Sequence, residues 1–441
     1  MTRPATSITV LTRLAVLALA LQAAACAHLA APADDATTAG PAAAEAPIVL
    51  MIGLDGLRYD AIDRWDAPNL RALAARGMRP DHMIPVMPSK TFVNFYSIAT
   101  GLYPEHHGMI SNSPWDRRLN ERFSNANGSA QDPRWWAGEP IWITAEKQGE
   151  RADIMFWLGS EIEHDGIRPS IWHPYVHEMP YEDRVAEVLS WFDGPVSEQP
   201  RLAAVYFDHV DTVTHRYGPF SPEEGDAVAR VDALVGDLVD GMTARGLIDR
   251  TNIIIVSDHG MSAVSAERSV NLDTYTDLEG LYVPEFSGSR GPGLEPFIMA
   301  YGDADAVDRA YAALDGANEH VTVYRRGAMP DTWHFNHPDR GPDLLVLAEP
   351  DWLLTMSTAD LTNPWLMSMS GAHGFDNRSE SMGATFIGAG PIFPAGTRPE
   401  AFENVNVYLM IACALDLIPA ATDGDPELVE TVTGGRCPAA D

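Results

Sequence analysis

Positive charge is scarce in this 441-residue chain: 30 Lys and Arg stand against 62 Asp and Glu, a formal net charge of −32, and Lys90 and Lys147 are the only lysines. That balance excludes nonspecific binding to nucleic-acid polymers or anionic membranes, which need basic patches. An anionic substrate would require a local source of positive charge, and bound metal is an obvious one. Cysteine is nearly absent as well. Cys26, Cys413 and Cys437 are the whole set, and their spacing excludes a cysteine-built zinc cage. For the last pair two alternatives stay open: a disulfide tying down the C-terminal tail, or two free thiols. After the N-terminus no apolar run is long enough for a transmembrane segment, and no internal repeat is visible. What is there is an ordinary globular composition, 46% hydrophobic and 21% charged, enough for a large core in one or two α/β domains.

The N-terminus reads as a targeting segment. Arg3 and Arg13 precede "LAVLALALQAAACA", an apolar run too short for a comfortable permanent span and ending in small residues. Residues 1–25 therefore fit a secretory signal peptide, and export to the periplasm is expected. Cleavage near Ala25 would leave Cys26 as a candidate for a lipid anchor, although Ala23 stands where leucine is usual. Residues 26–46 read as a flexible Ala/Pro linker, which leaves 47–441 for the folded domain.

That domain opens with "PIVLMIGLDG", a continuous apolar run ending in Asp55. Runs of this kind are buried parallel strands. "RLAAVYFDHVD" runs into Asp208 and Asp211, and "NIIIVSDHG" into Asp258 and His259. Between them, Ser221 to Glu224 make a capping box with proline at the first helical position. Val228, Val231, Val235, Leu238 and Met242 follow at helical spacing, with Gly246 as a stop. Strand–helix–strand order predicts an α/β fold with a mostly parallel central sheet covered by helices. "PDLLVLAE" and "MGATFIGAGP" add strands, "NVNVYLMIACALDL" a closing helix, and 265–340, with weak periodicity, an inserted cap or subdomain.

Ligands of such sheets bind beyond the carboxyl ends of the strands, so these acids and imidazoles should meet at one edge. Asp55, Thr91, Asp211 with His215 in "DTVTH", Asp258–His259 and His373 in "GAHGFDN" are the candidates. Carboxylates mixed with imidazoles suit zinc or a similar divalent ion, and their number suggests two ions. Such a pair fits displacement at phosphorus and would activate an otherwise protonated threonine hydroxyl. If Thr91 begins a helix, the helix N-terminus adds N–H groups for a phosphoryl group. Singly, each residue has a plainer reading: a helix-starting Thr caps, and a lone His packs or points to solvent.

Taken together, "VMPSKTFVNFYSIATGLYPEHHGMISN", "GEPIWITAEKQG", "DTVTHRYGP", "VSDHGM" and "GAHGFDN" resemble the nucleotide pyrophosphatase/phosphodiesterase family of the alkaline phosphatase superfamily, from about Ile48 to Leu417. The resemblance implies an alkaline-phosphatase-like α/β/α sandwich binding two zinc ions and acting on small nucleotide-type substrates. It implies that Asp55, Thr91, Asp258 and His259 hold one zinc, and Asp211, His215 and His373 the other. Thr91 would be the nucleophile, forming a phosphothreonine-type intermediate. Asn112 would donate its amide to a phosphoryl oxygen, helped by the backbone N–H of Phe92, while Phe92, Tyr175 and Tyr206 would sandwich a base. Two positions depart from the family pattern: Phe95 where His is usual, and Thr214 where Gly precedes the His. Neither is an expected ligand, so altered packing is the expected consequence. The dense tryptophans Trp115, Trp135, Trp136, Trp142 and Trp157 are expected in the core.

Within the superfamily, sulfatases need a Cys or Ser in a C/S-x-P-x-R context, which "SKTFV" lacks. Phosphomonoesterases usually meet the extra anionic oxygen with an arginine or a third metal, and no arginine lies close in sequence to Thr91. Diesters and pyrophosphates are therefore the expected substrates. Phosphomonoester and phosphonoacetate-type hydrolysis remain the alternatives. A non-catalytic exported binding domain is disfavoured, because all seven expected ligands are present.

Overall fold

The three apolar runs become neighbours in the middle of a six-stranded sheet. A computed structural model describes residues 46–124, 127–284, 293–356 and 363–438. The expected signal peptide, Cys26 and all but the last residue of the expected linker lie outside the described residues. Along the chain, β1 (Ile48–Leu54) leads to helix α1 (Thr91–Thr100), then β2 (Ala152–Met155), β3 (Ile171–Trp172) and β4 (Leu202–Phe207). Helices α2 (His209–Tyr217) and α3 (Pro222–Ala244) precede β5 (Thr251–Val256). Next come β6 (Leu281–Tyr282), β7 (Phe297–Gly302), β8 (Val321–Arg325) and β9 (Leu344–Ala348), then β10 (Phe386–Ala389) and helix α4 (Val407–Ala414).

The central sheet has the order β10–β5–β1–β4–β2–β3. Strand β1 runs parallel to both neighbours, with Ile52 opposite Val205 and Ile255, and only β10 is antiparallel. Every residue of β1, β4 and β5 is buried, which is why they read as unbroken apolar runs. The architecture is the expected α/β/α sandwich.

Helix α3 shows what holds a covering layer in place. Val228, Val231, Val235, Leu238 and Met242 are all buried, each side chain contributing about 1.5–3 kcal/mol relative to exposure. The cap is smaller, typically ~1 kcal/mol. Ser221 Oγ accepts from the Glu224 N–H at 3.1 Å. The Glu224 carboxylate reaches one residue further back than a capping box, accepting from the Phe220 N–H at 2.6 Å and from Trp65 Nε1 at 2.8 Å.

A second, antiparallel sheet has the order β6–β7–β9–β8. It packs around Ile298, Val346, Leu353 and Phe375. "PDLLVLAE" lies here as β9, and "MGATFIGAGP" supplies the edge strand β10 of the central sheet. The segment 265–340 contributes β6, β7 and β8, with β9 following it. Cys413 and Cys437 are joined in a disulfide, which ties the tail to α4.

Candidate metal centre and nucleophile

Parallel strands carry their following residues to one edge. Asp55 follows β1 directly, Asp258 lies two residues beyond β5, and α2 starts immediately after β4, with Asp211 in its first turn and His215 one turn on. The i,i+4 spacing puts Asp211 and His215 on one helix face. Close approach of β1 and α2 depends on Gly56. Its φ is +69°, and a Cβ there would come within 2.8 Å of Asp211 Cα. The Asp55 carbonyl accepts from the Asp211 N–H at 3.0 Å, and Asp258 Oδ1 from the Gly56 N–H at 3.1 Å.

The three imidazoles are oriented alike. Nδ1 donates to a backbone carbonyl in each: His215 to Gly371 at 2.9 Å, His259 to Gly260 at 2.9 Å and His373 to Ser89 at 2.8 Å. That bond fixes the tautomer and turns the Nε2 lone pair toward the acids, the usual arrangement of a metal-ligating histidine. His259 Nε2 lies 2.7 Å from Asp258 Oδ2, 3.6 Å from Asp55 Oδ1 and 3.4 Å from Thr91 Oγ1. Asp211 Oδ1 is 3.4 Å from His215 Nε2 and 3.6 Å from His373 Nε2. The His259 and His373 rings stack, centroids 3.5 Å apart.

One oxygen of each acid has no hydrogen-bond partner: Asp55 Oδ1, Asp211 Oδ1 and Asp258 Oδ2. Asp258 Oδ2 makes no hydrogen bond despite its 2.7 Å approach to His259 Nε2; burial alone would lower the His259 pKa, but the Asp258 carboxylate outweighs it and holds the imidazole above its ordinary range. Leaving a buried polar atom unpaired costs about 1–3 kcal/mol, and more for a charged one. Burial first, then the carboxylates of Asp258 and Asp211, push Asp55 well above the ordinary carboxylate range. Burial, and then the neighbouring His259, push His373 well below the ordinary imidazole range. Converging lone pairs and unpaired buried oxygens fit divalent cations. Asp211, His215 and His373 form one group whose donor atoms lie within 4.8 Å of one another, and Asp55, Asp211 and His259 form a second. Asp211 is common to both, and Asp258 joins through His259.

Thr91 is the first residue of α1. Lys90 occupies the cap position and no side chain makes a capping bond, so the Thr91 hydroxyl has no duty in the helix. The loop before it is pinned by residues that the motifs did not single out. Asn94 accepts from the Val86 N–H at 2.7 Å and donates to the carbonyls of Pro88 at 3.0 Å and Lys90 at 2.9 Å. Ser89, whose carbonyl holds His373, donates its hydroxyl to the Phe375 carbonyl at 2.9 Å. The available signal was a polar Asn among the apolar residues of α1.

Asn112 Oδ1 accepts from the Phe92 N–H at 2.9 Å, which places side by side the two groups expected to meet a phosphoryl oxygen. The same bond orients the amide and leaves its NH2 end without a protein acceptor among the described residues.

Beside Thr91 opens a cleft of about 320 Å³ lined chiefly by aromatic rings, including Phe92, Trp136, Phe156, Tyr175 and Tyr206, with Glu161 its charged lining residue. Phe92 packs on Phe123 and Trp136, with centroids 5.6 and 6.1 Å away. Tyr175, 40% exposed, stands at the rim against Phe156 and Tyr206. Tyr206 lines the cleft and also donates its hydroxyl to Asp55 Oδ2 at 2.5 Å, a second role that base sandwiching did not include. Phe95 is buried edge-on against Trp157 and Tyr206, and the Thr214 hydroxyl bonds the Val210 carbonyl at 2.8 Å inside α2. Trp135 and Trp142 are core residues, whereas Trp136 and Trp157 also reach the cleft.

Residues 49–376 match the family described as type I phosphodiesterase / nucleotide pyrophosphatase. The chain is 36% identical over 388 residues to ectonucleotide pyrophosphatase/phosphodiesterase family member 1 of Homo sapiens, covering 87% of this chain and 41% of that protein. It is 34% identical over 395 residues to a venom phosphodiesterase of Crotalus durissus collilineatus, covering 89% of this chain and 47% of that one. The chain thus spans less than half the length of these curated relatives. Murine ectonucleotide pyrophosphatase/phosphodiesterase 5 superposes with a TM-score of 0.80 at 28% identity, covering 87% of this chain and 99% of that one, and its fold is alkaline-phosphatase-like. An inactive threonine-to-alanine form of that murine protein, in complex with AMP, superposes with the same score at 28% identity, covering 88% and 99%. Among the described residues, no helix is long and apolar enough to cross a membrane.

Proposed function

The chain belongs to the type I phosphodiesterase / nucleotide pyrophosphatase family, and from that premise we propose that it hydrolyses phosphodiester and pyrophosphate bonds of small nucleotide-type substrates through a phosphothreonine-type intermediate at Thr91. One observation carries this reading: a hydroxyl with no structural duty sits 3.4 Å from His259 Nε2, beside buried carboxylate oxygens that have no other partner. Asp55, Asp258, His259 and Thr91 would hold one divalent ion, and Asp211, His215 and His373 the other. The mixed oxygen and imidazole donors suit zinc. Two bound zinc ions would lower the pKa of the nucleophile and neutralise charge on the phosphoryl group.

The residues then divide the work. Thr91 Oγ forms the bond to phosphorus as the bond to the leaving oxygen breaks, and water later cleaves the phosphothreonine and restores the hydroxyl. The Asn112 NH2 group donates to a phosphoryl oxygen, with its other end held by Phe92. Phe92 and Tyr175 take the base, since an aromatic slot suits a flat heterocycle better than a further anion. The AMP bound by the murine relative supports that choice. The leader over 1–25 would send this activity to the periplasm, with Cys26 a candidate lipid anchor.

Phosphomonoester or phosphonoacetate-type hydrolysis is the second reading, because the same cradle serves it. The aromatic slot beside Thr91 favours the diester. The deciding experiment compares the p-nitrophenyl ester of thymidine monophosphate with p-nitrophenyl phosphate, each with and without chelator. Faster, chelator-sensitive diester cleavage is expected. Faster monoester cleavage would overturn the proposal.

A further inference from the structure

Arg340, on the loop between β8 and β9, is a buried cation whose guanidinium bonds reach the two segments that flank Asn112 and precede Trp136. Its Nε donates to Asp116 Oδ2 at 2.9 Å. Its Nη1 donates to the carbonyls of Gly108 at 2.7 Å and Trp135 at 2.8 Å, and its Nη2 to that of Arg134 at 2.7 Å. The guanidinium carbon lies 4.8 Å from the Trp135 ring. Gly108 and Asp116 stand four residues before and four after Asn112, so one guanidinium grips both ends of the segment that presents the carboxamide. The other Asp116 oxygen accepts the N–H groups of Arg118 and Leu119, both at 2.9 Å, which makes that end a closed turn. Gly108 is left-handed at φ +79°, and a Cβ there would come 2.7 Å from Arg340 Nη1. The carbonyls of Arg134 and Trp135 lie just before Trp136, which packs on Phe92, the residue whose N–H holds Asn112.

We infer that Arg340 is a positioning residue for the reaction: it fixes the 108–116 segment so that Asn112 is held where charge develops on the phosphoryl group. The inference rests on the donor role proposed above for Asn112. Losing a donor of that kind costs roughly 10²–10³-fold in turnover, and misplacing a group by about 1 Å can cost ~10²-fold. Only the planar fork of arginine spans these four acceptors, whereas a lysine ammonium is a point charge that cannot meet them together. A residue that merely fastened the second sheet to the first would lower stability without acting through Asn112.

A double-mutant cycle on kcat separates the two, using the p-nitrophenyl ester of thymidine monophosphate well below the melting midpoint of every variant. In the wild-type background, Arg340→Lys is expected to lower kcat ~10–100-fold, with KM within about threefold. In the Asn112→Ala background the same change is expected to cost less than about threefold, because the group it positions is gone. Asp116→Asn, which keeps the three carbonyl bonds, repeats the cycle if Arg340→Lys does not fold. If Asn112→Ala collapses turnover and Arg340→Lys costs the same factor in both backgrounds, or nothing in either, the inference is overturned and the donor role survives. If Asn112→Ala leaves turnover intact, the donor role itself fails and takes the inference with it.

Discussion

Tyr206→Phe removes a single hydroxyl and keeps the ring. The wall that Tyr206 forms with Phe95 and Tyr175 is therefore left in place, and the lost feature is the donor to Asp55 Oδ2 at 2.5 Å. Burial and the neighbouring Asp55 hold the Tyr206 hydroxyl well above its ordinary pKa, so it stays protonated and donates to the carboxylate. A hydrogen bond to a charged group is worth about 1.5–3 kcal/mol, and at roughly 1.4 kcal/mol per tenfold that is a factor of about 10–150. Independently, loss of a donor that orients a metal ligand costs about 10–100-fold in metal affinity. The two figures agree. Asp55 has no spare partner to soften the loss, because Oδ1 is already unpaired. The assay is zinc competition against a graded series of chelators, together with steady-state kinetics on the diester. The expected result is ~10–100-fold weaker zinc binding, an unchanged KM, and turnover recovered by excess zinc. Unchanged zinc affinity with a raised KM would refute the reasoning and confine Tyr206 to the aromatic wall.

Three further outcomes are expected. Thr91→Ala should lower turnover by at least ~10³-fold while zinc stays bound, because a nucleophile is lost and the histidines and acids remain; near-normal turnover would mean a different nucleophile. Tyr175→Ala should raise KM for the nucleotide diester roughly 5–100-fold, the value of about 1–3 kcal/mol for stacking one base, and leave methyl p-nitrophenyl phosphate unaffected. An equal effect on both substrates would count against base stacking. His107 contributes to acid stability. It is buried, accepts from the Met109 N–H at Nδ1 and meets the Ser97 hydroxyl at Nε2, and burial lowers its pKa from 6.5 to about 3. The unfolded chain takes up a proton below 6.5 that the folded chain refuses until about 3, so stability is present above that window and is lost as pH falls through it, by up to about 1.4 kcal/mol per pH unit. Melting midpoints of His107→Gln should fall less steeply across that window than those of the wild type, and identical slopes would exclude the role.

The acids at the strand ends were legible because a parallel sheet covered on both faces writes itself as apolar runs, and each run here stops at an Asp. Thr91 was legible through its place before a helix, but whether its hydroxyl capped that helix was not; the backbone had to show Lys90 in the cap position. The hydrogen bond between the Phe92 N–H and Asn112 depends on how two segments twenty residues apart are set against each other, and no local pattern encodes that. Tyr206 carried a faint signal, a phenol in an otherwise apolar strand, which when buried needs a partner. Arg340 carried none, since its four acceptors come from segments more than 200 residues away. The second sheet was obscured by its short strands: β6 has two residues, and β8 buries Val321 and Val323 around an exposed Thr322. Pairing of Cys413 with Cys437 is likewise a tertiary fact, their Cα atoms lying 5.7 Å apart.

If the gathered donors hold a pair of dications against the Thr91 hydroxyl, elemental analysis of the purified protein will find them. About two zinc ions per chain are expected at a site of this two-metal type, falling toward one in His215→Ala and holding in Thr91→Ala. A chain that carries no tightly held transition metal, yet cleaves the diester undiminished in excess chelator, would contradict the two-metal site.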